Sequence, residues 1–417
     1  MDDASADALV DDLFRRESAH LISALARLLG PSNLALAEDV VQDALMSAMQ
    51  AWRFGAPANP RAWILQVAKR RAIDVIRRDR KLEAWRPEFE SAPSRAHAVD
   101  LALSPESDAA NQLAMMFAIC DDSLASETHV TLILRVLCGL SAGEIARAFL
   151  VDVPTIERRL HRGRRRLEER GELADVTSMP DVRARQPSVE RALYLLFNEG
   201  YHGSDAETPL HPAMCADALR LAEMLLTAPA VEHGTVHALA ALFCFNAARL
   251  PSRLDEGGVI VALAEQERSR WDRSLLDLGV RHLGDSATGD HWTRWHLEAG
   301  IAFEHTSAPS LPETNWARIV DYYDLLMALA PGPVVALNRG LAVAELRGLE
   351  AGREALASLD GDARMVQYSF YWAALADIER RAGQHALARE LYRRAAALAK
   401  SPPERLSYER RIRALEN

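Results

Sequence analysis

Apolar positions recur at helical spacing through most of the chain, and runs of β-branched residues are rare. In the first segment Leu21, Leu25, Leu28 and Leu29 share one helical face, and Gly30-Pro31 predicts the stop. A second stripe, Val40, Val41, Ala44, Leu45, Ala48 and Trp52, predicts a helix within SNLALAEDVVQDALMSAMQAWRF. After the loop GAPANP a third helix is predicted, capped by Asn59, opened by Pro60 and burying Ile64, Val67, Ala68, Val75 and Ile76. Residues 82–108 are rich in Pro, Ser and Ala, lack a period and read as a linker. Helices resume over 109–170, a looser stretch follows over 171–187, and 188–417 is helical again. The pattern predicts an all-α protein with small helical domains at 7–81 and 109–170 and a larger one at 188–417.

One internal repeat is visible. YWAALADIERRAGQHALARELYRRAAALAKSPP places Trp372, Leu375, Ala376, Gly383, Ala388, Tyr392 and Ala395 at tetratricopeptide spacing. The preceding PVVALNRGLAVAELRGLEAG repeats it more weakly through Leu337, Gly340 and Gly348. Small residues in such a unit let two helices cross closely, and the aromatic fills the gap to the next repeat. With fewer than three clear repeats, atypical helices must cap the stack.

Composition narrows the class. A chain of 417 residues predicts about two to four domains. No apolar run reaches the roughly 20 residues of a membrane span, and the acidic start MDDASADALVDD is no signal peptide. Cys120, Cys138, Cys215 and Cys244 are scattered without a C-x-x-C pair, as buried thiols in a reducing cytoplasm would be. The formal net charge of −10 argues against a chain coated in nucleic acid, but a DNA-binding footprint is local. Basic residues do cluster, at 69–81 and at 158–170.

The sharpest motif is LCGLSAGEIARAFLVDVPTIERRLHRGRRRLEER. Ser141 and Glu144 form a capping box, and Ile145, Ala146 and Phe149 give the first helix an apolar face. After the turn at 150–153, Pro154 opens a second helix with Ile156, Leu160, Gly163 and Leu167 inward. Thr155, Arg158, His161, Arg162 and Arg165 then face outward: a helix-turn-helix whose arginines can contact phosphates or guanine edges in the major groove. The third helix, from Pro60 onward, carries Trp63, Gln66, Arg70, Asp74 and Arg77 on one exposed face. Aromatic and basic side chains together suit single-stranded or melting DNA, and an ordinary amphipathic surface helix is the bland alternative.

Other clusters carry less. FNEGYHG gathers Asn198, Glu199 and Tyr201 at a predicted helix end, with Gly200 in a left-handed closing position, and these polar residues could hold a domain contact or a ligand. His291 and His296 are five apart rather than four, and His305 adds no spacing signature, so no metal site and no cofactor are read. Glu265 and Glu267 are predicted to pair with Arg268 and Arg270. No catalytic motif is present, so no enzyme is read.

Together these segments resemble a known family. AEDVVQDALMSA with NPRAWILQVAKRRAIDVIRR looks like sigma region 2, and SAGEIARAFLVDVPTIERRLHRGRRRL looks like sigma region 4. Only these two are present, which is the layout of extracytoplasmic-function RNA polymerase sigma factors. The resemblance implies two partners, core RNA polymerase (through its β′ clamp and β flap) and promoter DNA, with no membrane. It places Asp39, Gln42 and Asp43 on the polymerase-docking face. It assigns the −10 element to Asn59, Arg61, Trp63, Arg70 and Arg77, and the −35 element to Thr155, Arg158, His161, Arg162 and Arg165. Many relatives have Asn where Arg71 stands here. VERALYLLFNEGYHGSD, AEQERSRWDRSLL and LPETNWARIVDYYDLLMALAPGPVVALNRGLAVAEL resemble the subgroup with a tetratricopeptide-like C-terminal extension, which implies regulation by that extension through an intramolecular or outside protein partner. The alternative is a one-component helix-turn-helix regulator with a tetratricopeptide-like sensor domain. Such a regulator would have no need of the region 2 segments.

Overall fold

The computed structural model describes residues 3–30, 33–52, 57–78, 92–121, 123–149, 151–170, 182–202, 210–289 and 291–416. Among them every regular element is a helix, and a lone antiparallel bridge joins Leu254 to Ile260. None of these helices is long and apolar enough to cross a membrane. The chain divides into two compact units, residues 1–196 with 224–231, and residues 197–223 with 232–417.

In the first unit α1 (Asp3–Leu29), α2 (Leu34–Ala51) and α3 (Pro60–Arg78) pack together. Most of the predicted stripe is buried, Leu21, Leu25, Leu28 and Leu29 on α1, Val40, Val41, Ala44 and Ala48 on α2, Ile64, Ala68 and Ile76 on α3, while Leu45, Trp52, Val67 and Val75 are half-buried. Gly30 ends α1 at φ 88°, a conformation that glycine adopts without steric cost. The linker expected over 82–108 needs correction where the structure describes it: α4 (Ala92–Ala102) and α5 (Pro105–Ile119) are helices. The first packs on α1 and α3 through fully buried Val99, and Asp100 pairs with Lys69. Residues 79–91 lie outside the described residues. The helix expected from 109 onward begins earlier, at Pro105, and every residue from Asn111 to Ile119 is buried.

The unit continues through α6 (Ser126–Val136), α7 (Ala142–Phe149) and α8 (Val153–Arg170). The next helix, α9 (Val182–His202), begins inside the stretch expected to be loose and carries Pro187 within it. Residues 171–181 of that stretch are not among the described residues. The first turns of α9 belong to the first unit: Ser188 Oγ lies 3.0 Å from Ser126 Oγ and 3.3 Å from His129 Nδ1, and Arg185 donates to the Phe117 carbonyl at 3.4 Å.

The second unit holds the remainder of α9, α10 (Pro212–Leu225) as far as Glu223, α11 (His233–Ala247), α12 (Arg273–Asp285), α13 (Arg294–Ser307), α14 (Trp316–Leu329) and α15 (Pro333–Arg347). It ends with α16 (Leu349–Ala357), α17 (Ala363–Val366), α18 (Ser369–Arg381), α19 (His385–Leu398) and α20 (Pro402–Ala414). Helices adjacent in sequence pack as pairs. The α15–α16 pair crosses so closely that a Cβ at Gly352 would meet Ala344, its Cα included at 2.9 Å. The repeat residues Ala376, Ala388, Tyr392 and Ala395 are buried between α18 and α20. The last helix is tied to the 254–265 segment by Ser407 Oγ donating to the Ile260 carbonyl at 3.1 Å, Arg410–Asp255 at 2.6 Å and Arg411–Glu265 at 3.4 Å.

That last pair corrects the pairing expected within EQERSR: Glu265 meets Arg411, while Arg268 donates to the carbonyls of His305 and Ala308. Gly200 is also corrected. It sits within α9 and is not among the positive-φ glycines. Its missing Cβ instead admits the His211 carbonyl and Met214, which would stand 2.8 Å from one. All four cysteines are buried free thiols, and burial pushes Cys215 and Cys244 up to about 12.

Candidate nucleic-acid interface

Local chemistry sets the helix-turn-helix. The capping box forms as the sequence implies, with Glu144 N donating to Ser141 Oγ at 3.2 Å and Ser141 N donating to Glu144 Oε2 at 2.6 Å. Asp152 accepts from Thr155 N at 3.0 Å at the start of α8, and the Thr155 hydrogen bonds, with Arg158 beyond them, hold its carboxyl below the usual range. Ile156, Leu160, Gly163 and Leu167 are buried. A Cβ at Gly163 would lie 2.6 Å from Leu132 Cδ1, so glycine lets α8 approach α6.

The outward face divides in two. Arg158, His161, Arg162 and Arg165 are exposed and Thr155 half-buried. Arg158 bends back over the helix start, donating to Thr155 Oγ1 at 2.9 Å, and Arg165 pairs with Glu169 at 3.3 Å. Such surface pairs are weak and exchange readily for phosphate. Arg159, Arg164 and Arg166 are committed inside the unit. Arg166 pairs with Asp121 at 3.6 Å and Arg164 with Glu38 of α2 at 2.8 Å. Arg159 lies over the Phe149 ring at 5.1 Å, and Arg191 of α9 lies over the same ring at 5.6 Å. Sequence spacing did not reveal these tertiary roles.

On α3, Arg70 and Arg77 are exposed, with Arg77 at 3.6 Å from Asp74. Asn59 caps the helix, accepting from Ala62 N at 3.0 Å, and Arg61 pairs with Glu17 of α1 at 3.1 Å. Trp63 is half-buried, edge-on to Trp52 at 5.5 Å, and Trp52 lies 5.6 Å from Phe14. This indole therefore anchors an aromatic cluster rather than standing free.

Asp39, Gln42 and Asp43 lie exposed along α2, and Asp43 is 3.9 Å from Arg71. The same helix exposes two large apolar side chains that the sequence reading passed over, Met46 at 58% and Met49 at 64%. Their signal was present, since neither belongs to the buried stripe. Adaptable methionines beside carboxylates make a surface suited to another protein. Asn198 is half-buried, and Glu199 and Tyr201 are buried, all three in the second unit. Tyr201 stacks on Phe197 at 5.7 Å, and Arg253 lies over the Tyr201 ring at 4.1 Å.

Comparison with known proteins supplies the family. The Sigma-70 region 2 family matches residues 13–82, the Sigma-70, region 4 family matches residues 122–167, and a family of unknown function (DUF6596) matches residues 185–287. An uncharacterized protein of Rhizobium meliloti (strain 1021) is 30% identical over 377 residues, 89% of this chain and 88% of the relative. No solved structure matches. The chain therefore belongs to one family with the Rhizobium meliloti protein, and its paired Sigma-70 regions make it a sigma factor of the extracytoplasmic-function type, directing RNA polymerase to promoters and carrying a helical C-terminal extension.

Proposed function

We propose that α8 reads the −35 element through Thr155, Arg158, His161, Arg162 and Arg165, and that α3 with its preceding loop engages the −10 element through Asn59, Arg61, Arg70 and Arg77. Trp63 serves this surface by holding the start of α3 against Trp52. The face of α2 formed by Asp39, Gln42, Asp43, Met46 and Met49 docks on the β′ clamp of core polymerase, and the region 4 module meets the β flap.

The extension is a tetratricopeptide-like regulatory domain. The observation behind this reading is Phe149, flanked by Arg159 of the reading helix and Arg191 of the extension's first helix. A shift of α9 is therefore felt at α8 through one shared ring. The domain limits that go with it are 7–81, 109–170 and 188–417, with the start of α9 as the coupling element. Transcription in vitro with core polymerase tests the whole reading, comparing the full chain with a chain cut after Arg170. Promoter-specific initiation by the full chain is expected, with altered activity after the cut. Equal activity of the two would remove the regulatory role, and no initiation by either would remove the site assignments.

A further inference from the structure

The second unit contains a cavity of about 640 Å³ between the segment around Arg249–Gln266 and the helices α18 to α20. Small-molecule sites commonly occupy about 300–1,000 Å³. Its charges are unevenly satisfied. Glu345 is held by Arg381 at 2.5 and 3.1 Å, Asp377 by Arg380 at 2.7 Å, and Glu265 by Arg411 at 3.4 Å. Glu404 takes its donors from Ser369, Tyr408 Oη at 3.1 Å and the Lys400 amide at 3.0 Å.

Arg249 and Arg253 differ. Each lines the cavity, and among the described residues neither has a carboxylate within 4.0 Å. Arg249 Nε donates to the neutral Gln266 Oε1 at 3.2 Å; Arg253 Nη2 donates to the Tyr201 carbonyl at 3.2 Å, and Arg253 Nε is buried with no hydrogen-bond partner. Burial pushes the Arg249 guanidinium down; Tyr201 opposes this, and the neighbouring Arg253 and Arg268 add to it. His305 is held at about 4 by burial and then by Arg249 and Arg268, so it stays neutral and adds no charge. Two recessed cations without a counter-charge are costly unless something supplies one.

Tyr392 is 1% exposed and closes the same cavity, with Arg380 and Arg411 beside its hydroxyl. The walls also offer apolar surface from Val261, Leu311 and Phe370, the last 40% exposed.

We propose that this cavity binds a small organic anion, with its carboxylate or phosphate head on Arg249 and Arg253 and an apolar body along Val261, Leu311 and Phe370. Guanidinium groups pair with both head groups through planar, charge-assisted hydrogen bonds. The proposal concerns binding alone and does not rest on the regulatory reading of the extension.

The test titrates the full chain with anilinonaphthalene sulfonate, an aromatic anion of the proposed shape, followed by its fluorescence. One saturable site per chain is expected, displaced by citrate if the head is a carboxylate or by inorganic pyrophosphate if it is a phosphate. Arg253→Gln should weaken probe binding about tenfold or more, as loss of a charge-assisted hydrogen bond does. Tyr392→Phe should weaken it severalfold, while Arg393→Gln on the exposed surface should leave it unchanged. If Arg249→Gln fails to fold, judged by circular dichroism, the Arg253 and Tyr392 variants still decide. Affinity equal to wild type in both, or no displacement by either anion, overturns the proposal.

Discussion

The helix-turn-helix and the cavity of the extension both present arginines, but they assemble them in opposite ways. Arg158, Arg162 and Arg165 come from two turns of one helix, stand in water and meet only weak partners. Arg249 and Arg253 are recessed, and Tyr392 and Phe370, which complete their cavity, arrive from other helices far along the chain. Exposed arginines are cheap to hold and suit a large polyanion that brings its own counter-charges. Recessed arginines suffer desolvation and suit a small ligand that fills the space. The same side chain thus marks two kinds of site, told apart by burial.

The docking face of α2 should give the largest effect. Reversing Asp39→Arg and Asp43→Arg together should weaken capture of core polymerase by about 2–4 kcal/mol, as loss of interface hot spots does, without unfolding exposed positions. Anisotropy titration with labelled chain measures this, and undiminished capture would show that the face lies elsewhere. Next comes close packing in the extension. Gly352→Ala should cost about 1–3 kcal/mol from overpacking against the Ala344 backbone, outweighing the small gain in helix propensity. Calorimetry should show a lower unfolding temperature, and an unchanged one would mean that the α15–α16 crossing relaxes freely.

The reading helix supplies the third test. Arg162→Ala should cost about 1–3 kcal/mol and relax one promoter position if Arg162 contacts a base, or weaken all sequences alike and shallow the salt slope by about one if it contacts phosphate. Promoter binding in holoenzyme at several salt concentrations separates these outcomes, and an unaltered profile removes Arg162 from the interface. The smallest effect belongs to the Arg164–Glu38 pair. Glu38→Gln should change stability by at most about 1 kcal/mol and raise affinity for a −35 duplex up to about fivefold, by freeing α8 from α2. A fall in affinity would assign Arg164 a structural role only.

Legibility followed the environment of each helix. The capping box at Ser141 and Glu144, the buried stripe of α8 and its exposed arginines were readable because one face meets water and the other does not. The start of α9 was missed because Pro187 reads as a breaker. Met46 and Met49 were legible in principle, as apolar residues outside the stripe, but only the observed exposure gives them meaning.

By itself the sequence determined the all-helical class, the helix-turn-helix with its outward Thr155, Arg158, His161, Arg162 and Arg165, and the acidic face of α2. Each depends on residues within a few turns of one another, where spacing alone sets which side chains share a surface. Only the tertiary structure decided that Glu38 holds Arg164, that Arg159 and Arg191 both lie over Phe149, that Glu265 turns to Arg411 rather than Arg268, and that Arg249 and Arg253 line a cavity whose carboxylates are held by other donors. Those pairings join positions brought together by packing, and no local period along a chain records which distant helix will supply a partner or leave one missing.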